Sequence, residues 1–146
     1  MHTNLPKVMQ PLAGRPMIDH VITTAGTLTN KISTVIGYQK DVLNKYLSAN
    51  FKNVETFVQP ELNGTAGAVK AAQKNIKDNE DVLILYGDVP LISHETLKNA
   101  LSDNHDAVIL TMIPKDPSGY GLSLIHISEP TRPERIGGSG VGVEKK

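Results

Sequence analysis

The chain has 146 residues, 15 Lys plus Arg against 15 Asp plus Glu, 39% hydrophobic residues and no cysteine. That is about one domain, long enough to bury roughly 68–70% of the surface an unfolded chain exposes, and its balanced charge gives no field that would gather nucleic acid or an anionic membrane. Without cysteine there is no disulfide and no thiolate zinc site, which points to a reducing, cytoplasmic setting.

At the N-terminus, "MHTNLPKVMQPLAGRP" lacks the apolar core of a signal peptide, and no run approaches the ~20 apolar residues needed to cross a bilayer. Pro16 suits a first helical turn, and Met17, Ile18, Val21, Ile22 and Ala25 then recur at helical spacing before Gly26. "KISTVIGY" (Lys31 to Tyr38) is β-branched and predicts a strand. "KDVLNKYLSAN" predicts a helix over Lys40 to Asn50, with Val42, Leu43, Tyr46 and Leu47 on one face. "VETFV" (Val54 to Val58) is a short alternating strand. Gly64-Thr65 opens an alanine-rich helix with Thr65 as N-cap. "DVLILY" (Asp81 to Tyr86) is apolar throughout after its first residue and predicts a parallel strand covered on both faces. Ser93 then caps a helix to about Ser102, and "DAVILTMI" (Asp106 to Ile113) predicts another strand. This alternation argues an α/β fold, an open and mostly parallel sheet with right-handed crossovers. From Leu122 onward the pattern stops. "LSLIHISEPTRPERIGGSGVGVEKK" mixes prolines, clustered charges and glycines, and "GGSGVG" has neither the spacing nor the following helix of a phosphate loop, so a flexible tail is expected.

In open α/β sheets ligands bind beyond the carboxyl ends of the strands. Asp88 follows one predicted strand, Gly64-Thr65 another, and "DPSGYG" (Asp116 to Gly121) a third, so all three should face one crevice. Asp88 has the chemistry to ligate Mg²⁺ together with substrate phosphates, or simply to cap the turn before Pro90; spacing alone leaves both open. Gly64-Thr65 either brings backbone amides to an anion or merely starts a helix. Lys7 either neutralises phosphate or is a solvated charge. His2, His20, His94, His105 and His126 show no metal-ligand spacing and read as surface or capping residues. No G-x-S-x-G elbow or P-loop lysine motif occurs.

Taken in order, "LPKVMQPLAGRPMIDHVI", "FVQPELNGTAGAV", "DVLILYGDVPLIS" and "DPSGYG" resemble the uridyltransferase domains of the bifunctional bacterial enzymes that make UDP-N-acetylglucosamine, over Leu5 to Gly121. The resemblance implies a Rossmann-like nucleotidyltransferase sheet. It also implies attack of a sugar-1-phosphate oxygen on the α-phosphorus of UTP, with pyrophosphate released, by positioning and charge neutralisation. Residue by residue it implies Asp88 as the Mg²⁺ ligand and a catalytic residue, with Tyr86 and Gly87 lining the substrate pocket. Lys7 becomes a catalytic contact to phosphate, Gln59 with Gly64 and Thr65 the uracil-binding segment, and Gly121 a glycine beside the sugar. The implied partners are UTP and N-acetylglucosamine-1-phosphate, with a homo-oligomeric full-length parent in cell-wall precursor synthesis.

The chain also departs from that family. Its members begin with an apolar strand and an "LAAGxGTRM" loop; Met1 aligns with the methionine ending that loop, so the first strand is expected to be missing and the sheet incomplete. Past Gly121 the family's further metal-binding asparagine has no counterpart, and "LSLIHISEPTRP" resembles translated sequencing-adapter DNA. The expected organisation is a partial nucleotidyltransferase domain over 1–121 and a non-native, disordered tail over 122–146, the chain by itself being inactive. Two other readings stay open: a nucleotidyltransferase acting on another sugar phosphate, and a non-catalytic nucleotide-binding module.

Overall fold

The structure, a computed structural model, describes residues 5–37, 40–61, 64–102, 105–113 and 116. The chain forms two units, residues 1–94 and 95–146.

The first unit opens with a 3-10 turn, Lys7–Met9, and a small hairpin of β1 (Pro11–Leu12) and β2 (Arg15–Pro16). Pro11 lies opposite Pro16 and Leu12 opposite Arg15. The connecting Ala13 and Gly14 take φ of 49° and 81°, the pair of positive values by which a two-residue loop matches the twist of its strands. Alanine in that region costs about 1–2 kcal/mol, and α1 supplies a clamp that offsets it. His20 Nε2 lies 2.8 Å from the Leu12 carbonyl and Nδ1 lies 3.1 Å from Arg15 Nη2. Arginine only donates, so Nδ1 accepts and Nε2–H is the donor to Leu12. His20, expected at the surface or as a cap, is instead a half-buried tie between helix and hairpin.

Helix α1 (Met17–Gly26) buries Ile18, Val21, Ile22 and Ala25, the i, i+3, i+4, i+7 stripe of an amphipathic helix. Strand β3 (Ile32–Ile36), helix α2 (Lys40–Asn50) and strand β4 (Val54–Val58) follow as a βαβ unit. The strands pair in parallel from Ile32 opposite Val54 to Ile36 opposite Val58. Ile18, Ile22, Ile36, Leu43 and Leu47 form the core, with Val8, Met9, Ile32, Tyr46, Phe51 and Val54 packed against it. Val42 was expected on the buried face of α2 but is 47% exposed; it sits about 100° around the helix from Leu43, past the edge of the stripe set by Leu43, Tyr46 and Leu47.

Tyr46 reaches across to α1 and donates from its hydroxyl to Asp19 Oδ2 at 2.8 Å. Burial first, then the hydrogen bond and the negative charge of Asp19, push the phenol up to about 12, with Arg15 opposing. A phenol raised on folding adds stability below its unfolded value of 10.0 and loses it as pH climbs through about 12. Tyr46→Phe is therefore expected to cost about 1 kcal/mol at neutral pH and to remove the extra stability loss between pH 10 and 12. Urea midpoints measured across pH check this; parallel profiles for the two proteins would contradict it.

Beyond β4 the unit continues as α3 (Thr65–Ala71) and a 3-10 turn at Gln73–Asn75. Asn75 Nδ2 donates to Ser33 Oγ at 3.0 Å and to Glu55 Oε2 at 2.6 Å, tying that turn to both strands. Glu80 accepts from Lys31 Nζ at 2.7 Å and from the Lys77 N–H at 3.2 Å, and these bonds hold its carboxyl below the usual carboxylate range.

The fold is α/β with a parallel sheet, and among the described residues that sheet is incomplete: β3 and β4 are its two strands. Two expected strands do not form. Asp81 to Tyr86 runs without a ladder partner, and it is not covered on both faces, since Val82, Ile84 and Tyr86 are 47%, 52% and 38% exposed while Leu83 and Leu85 are half-buried. In the second unit, residues 107–113 form no strand either, with Ile113 99% exposed. Apolar and β-branched composition states what fits a sheet surface; the ladder needs a neighbouring strand, which composition cannot supply. Helix α4 (His94–Leu101) follows Ser93 as expected, with Leu97 fully buried and Ser102 Oγ donating to the Lys98 carbonyl at 2.8 Å. Residues 122–146, expected as a tail, lie outside the described residues. Among the described residues no helix is long and apolar enough to cross a membrane.

Candidate functional site

The carboxyl ends of β3 and β4 set the site. The Gln59 N–H donates to the Ile36 carbonyl at 2.8 Å, one step beyond the last residue of β4, so the ladder itself delivers Gln59 to the sheet's carboxyl edge. Its side-chain Nε2 donates to the Gly64 carbonyl at 3.1 Å, which orients the amide. Gly64 has φ of 90° with open space around it, so glycine is required there by backbone conformation and not by crowding. Thr65 was expected as the N-cap of α3. Gly64 holds that position instead, with no side-chain cap bond, and Thr65 is the first helical residue. Its Oγ1 lies 3.2 Å from the Tyr86 hydroxyl, so the threonine side chain faces the segment that leads to Asp88.

That segment turns sharply. The Val89 N–H donates to the Tyr86 carbonyl at 3.1 Å, closing a turn with Gly87 and Asp88 at its centre. A Cβ on Gly87 would meet Ile18 Cδ1 and Val8 Cγ1, both at 3.1 Å. Glycine thus lets the turn lie flat on α1 and on the Lys7–Met9 turn. The result is an ion pair between residues 81 positions apart: Lys7 Nζ donates to Asp88 Oδ2 at 2.6 Å, with side chains 72% and 26% exposed. Beside Gln59, a cleft of about 330 Å³ is lined by Gln59, Pro60, Glu61, Gly67, Lys70 and Ala71.

Of the residues singled out in the sequence, the structure therefore joins Lys7 with Asp88 directly and Gln59 with Gly64 directly. Thr65 joins Tyr86 through their hydroxyls, and Tyr86 leads into Gly87 and Asp88. Gly121 lies outside the described residues. Val8, against which Gly87 packs, and Glu61 and Lys70 in the cleft were not anticipated, since their apolar or charged character in the sequence reads equally well as core or surface; Ile18 was read as part of the α1 stripe and not as a support for Gly87.

No group of three or more His, Cys, Asp or Glu gathers into a metal cage among the described residues. The donor chemistry fits Mg²⁺ in its substrate-bridged mode, which takes one or two carboxylates and completes its shell with phosphate oxygens and water. Asp88 supplies one such carboxylate, whose Oδ2 accepts from the Lys7 ammonium at 2.6 Å.

A family model described as "MobA-like NTP transferase domain" matches residues 1–134. Among curated proteins the chain is similar to "Bifunctional protein GlmU" from Thermotoga maritima, 47% identical over 124 residues, and from Hydrogenovibrio crunogenus, 42% identical over 125 residues. The protein of the same name from Nitratiruptor is 36% identical over 132 residues. These matches cover 83%, 83% and 88% of this chain, but the chain spans only 27%, 27% and 30% of the relatives' length. On a family match that runs over residues 1–134, the chain belongs to the MobA-like NTP transferase family.

Proposed function

We propose that this chain is part of a uridyltransferase that moves UMP from UTP to N-acetylglucosamine-1-phosphate, giving UDP-N-acetylglucosamine and pyrophosphate. The observation that carries the reading is the meeting of Lys7 and Asp88 at 2.6 Å, on the same unit as an amide-bearing edge suited to a nucleobase. Gln59 presents a side-chain amide, able to donate and accept at a base edge, and the Gly64 backbone leaves room for close approach. Lys7 neutralises phosphate charge as a sugar-phosphate oxygen bonds to the α-phosphorus and the bond to the pyrophosphate oxygen breaks. Mg²⁺ held by Asp88 and the phosphates would supply further neutralisation there. Tyr86, bonded toward Thr65, positions the Asp88 turn relative to the base segment.

The expected binding order is UTP over ATP, because the proposed partner of the Gln59 amide is the donor and acceptor edge of uracil, which adenine does not reproduce. Gln59→Ala should reduce the preference about tenfold, the worth of one base hydrogen bond. Calorimetric titration with each nucleotide in Mg²⁺ checks this, and equal affinity for UTP and ATP overturns it. On this reading Asp88→Asn is expected to abolish Mg²⁺-dependent pyrophosphate release from UTP and N-acetylglucosamine-1-phosphate wherever the parent shows it. Release that survives the substitution unchanged would refute the role given to Asp88.

A further inference from the structure

Asp88 and Lys7 pose a problem of occupancy. Lys7 Nζ stands 2.6 Å from Asp88 Oδ2, and a Mg²⁺ ion needs a carboxylate oxygen at about 2.0–2.1 Å with near-octahedral clearance. The contact takes Oδ2 and leaves Oδ1, so the two cations compete through charge: a divalent ion on the same carboxylate would lie within a few ångströms of the Lys7 ammonium and be repelled by it. The two side chains also differ in freedom. Asp88 is pinned by the Tyr86–Val89 turn and by Gly87 packed on Ile18 and Val8, and is 26% exposed. Lys7 is 72% exposed on a four-carbon stem, so it is the partner that moves.

We infer that Lys7 is an exchangeable counter-ion for Asp88: it holds the carboxylate in the ligand-free chain, keeps divalent cations off it, and leaves when a polyphosphate offers a stronger anion. The inference rests on the proposed role of Asp88 as a metal ligand. Its consequence is thermodynamic coupling, in which a metal ion vacates Lys7 for phosphate and phosphate draws Lys7 off the carboxylate, each by the same factor. Metal and polyphosphate then enter together, and neither occupies the site well alone.

The test uses each ligand separately, so that chelation between them plays no part. Mn²⁺ alone, followed by the loss of free-ion electron paramagnetic resonance signal, should bind Lys7→Met about five- to tenfold more tightly than the parent, since a competing, repelling charge is gone. Lys7→Arg, which keeps the ion pair, should bind like the parent, and Lys7→Met/Asp88→Asn should lose the gain. In the reciprocal experiment, inorganic pyrophosphate without metal should bind Asp88→Asn several-fold more tightly than the parent, and Lys7→Met/Asp88→Asn should lose that gain as well. Equal Mn²⁺ affinity of Lys7→Met and the parent overturns the exchange, as does a pyrophosphate gain that survives without Lys7. If Lys7→Met binds Mn²⁺ more tightly and Asp88→Asn leaves that binding intact, the metal-ligand role of Asp88 fails first, and the exchange falls with it.

Discussion

Leu47→Ala is expected to lower the free energy of unfolding by about 2–5 kcal/mol, the range for truncating a fully buried leucine where neighbours relax only in part. Leu47 is 1% exposed and sits among Ile18, Ile22, Ile36 and Leu43. It joins α2 to α1 and to the strand that ends beside the site. Few other side chains share that position: Leu47 and Leu97 are the large residues buried to under 2% among those described. A small domain is stable by roughly 5–15 kcal/mol in all, so this single change removes a large share. Urea unfolding followed by circular dichroism reads the loss as a lowered midpoint with an unchanged slope. A change under about 1 kcal/mol would mean that the α1–α2–β3 core does not carry the fold, since that is the size of an ordinary surface effect.

Gly87→Val is expected to cost about 1–3 kcal/mol, as overpacking does, and to separate Lys7 from Asp88. A single added Cβ already stands 3.1 Å from both Ile18 and Val8, and valine adds two methyl groups to that space. Because Val8 follows Lys7, relief of the clash moves the very turn that carries the ammonium. The companion change Val8→Ala opens room, so Val8→Ala/Gly87→Val should recover part of the loss, a coupling that a double-mutant cycle measures directly. Strict additivity of the two substitutions would show that the close approach of the turn to Val8 is not the cause.

Much of the first unit was legible because its signals are local. The α2 bounds coincide with the sequence expectation, and β4 and the buried stripe of α1 follow from apolar spacing that one helix or strand satisfies by itself. What was not legible depends on partners. Val82 to Tyr86 has strand composition but no neighbouring strand, and the Asp106 to Ile113 run behaves alike. The Ala13-Gly14 hairpin was missed because alanine is an unusual occupant of a positive-φ turn position; its support comes from His20 in the next element. At the site, the types and order of Lys7, Gln59, Gly64, Thr65, Tyr86 and Asp88 carried a family resemblance. Their bonding did not show in the sequence. No spacing rule indicates that an ammonium and a carboxylate 81 residues apart meet, or that a glycine between a tyrosine and an aspartate is there to let them do so.

On the proposed function, Asp88 turns a divalent cation into nucleotide affinity. Calorimetric titration of UTP into the parent and into Asp88→Asn, each with and without Mg²⁺, reads that effect. Mg²⁺ is expected to tighten UTP binding to the parent by about tenfold, the scale of one charge-assisted contact, and to leave Asp88→Asn nearly unchanged. An equal Mg²⁺ effect on both proteins would mean that Asp88 does not hold the metal.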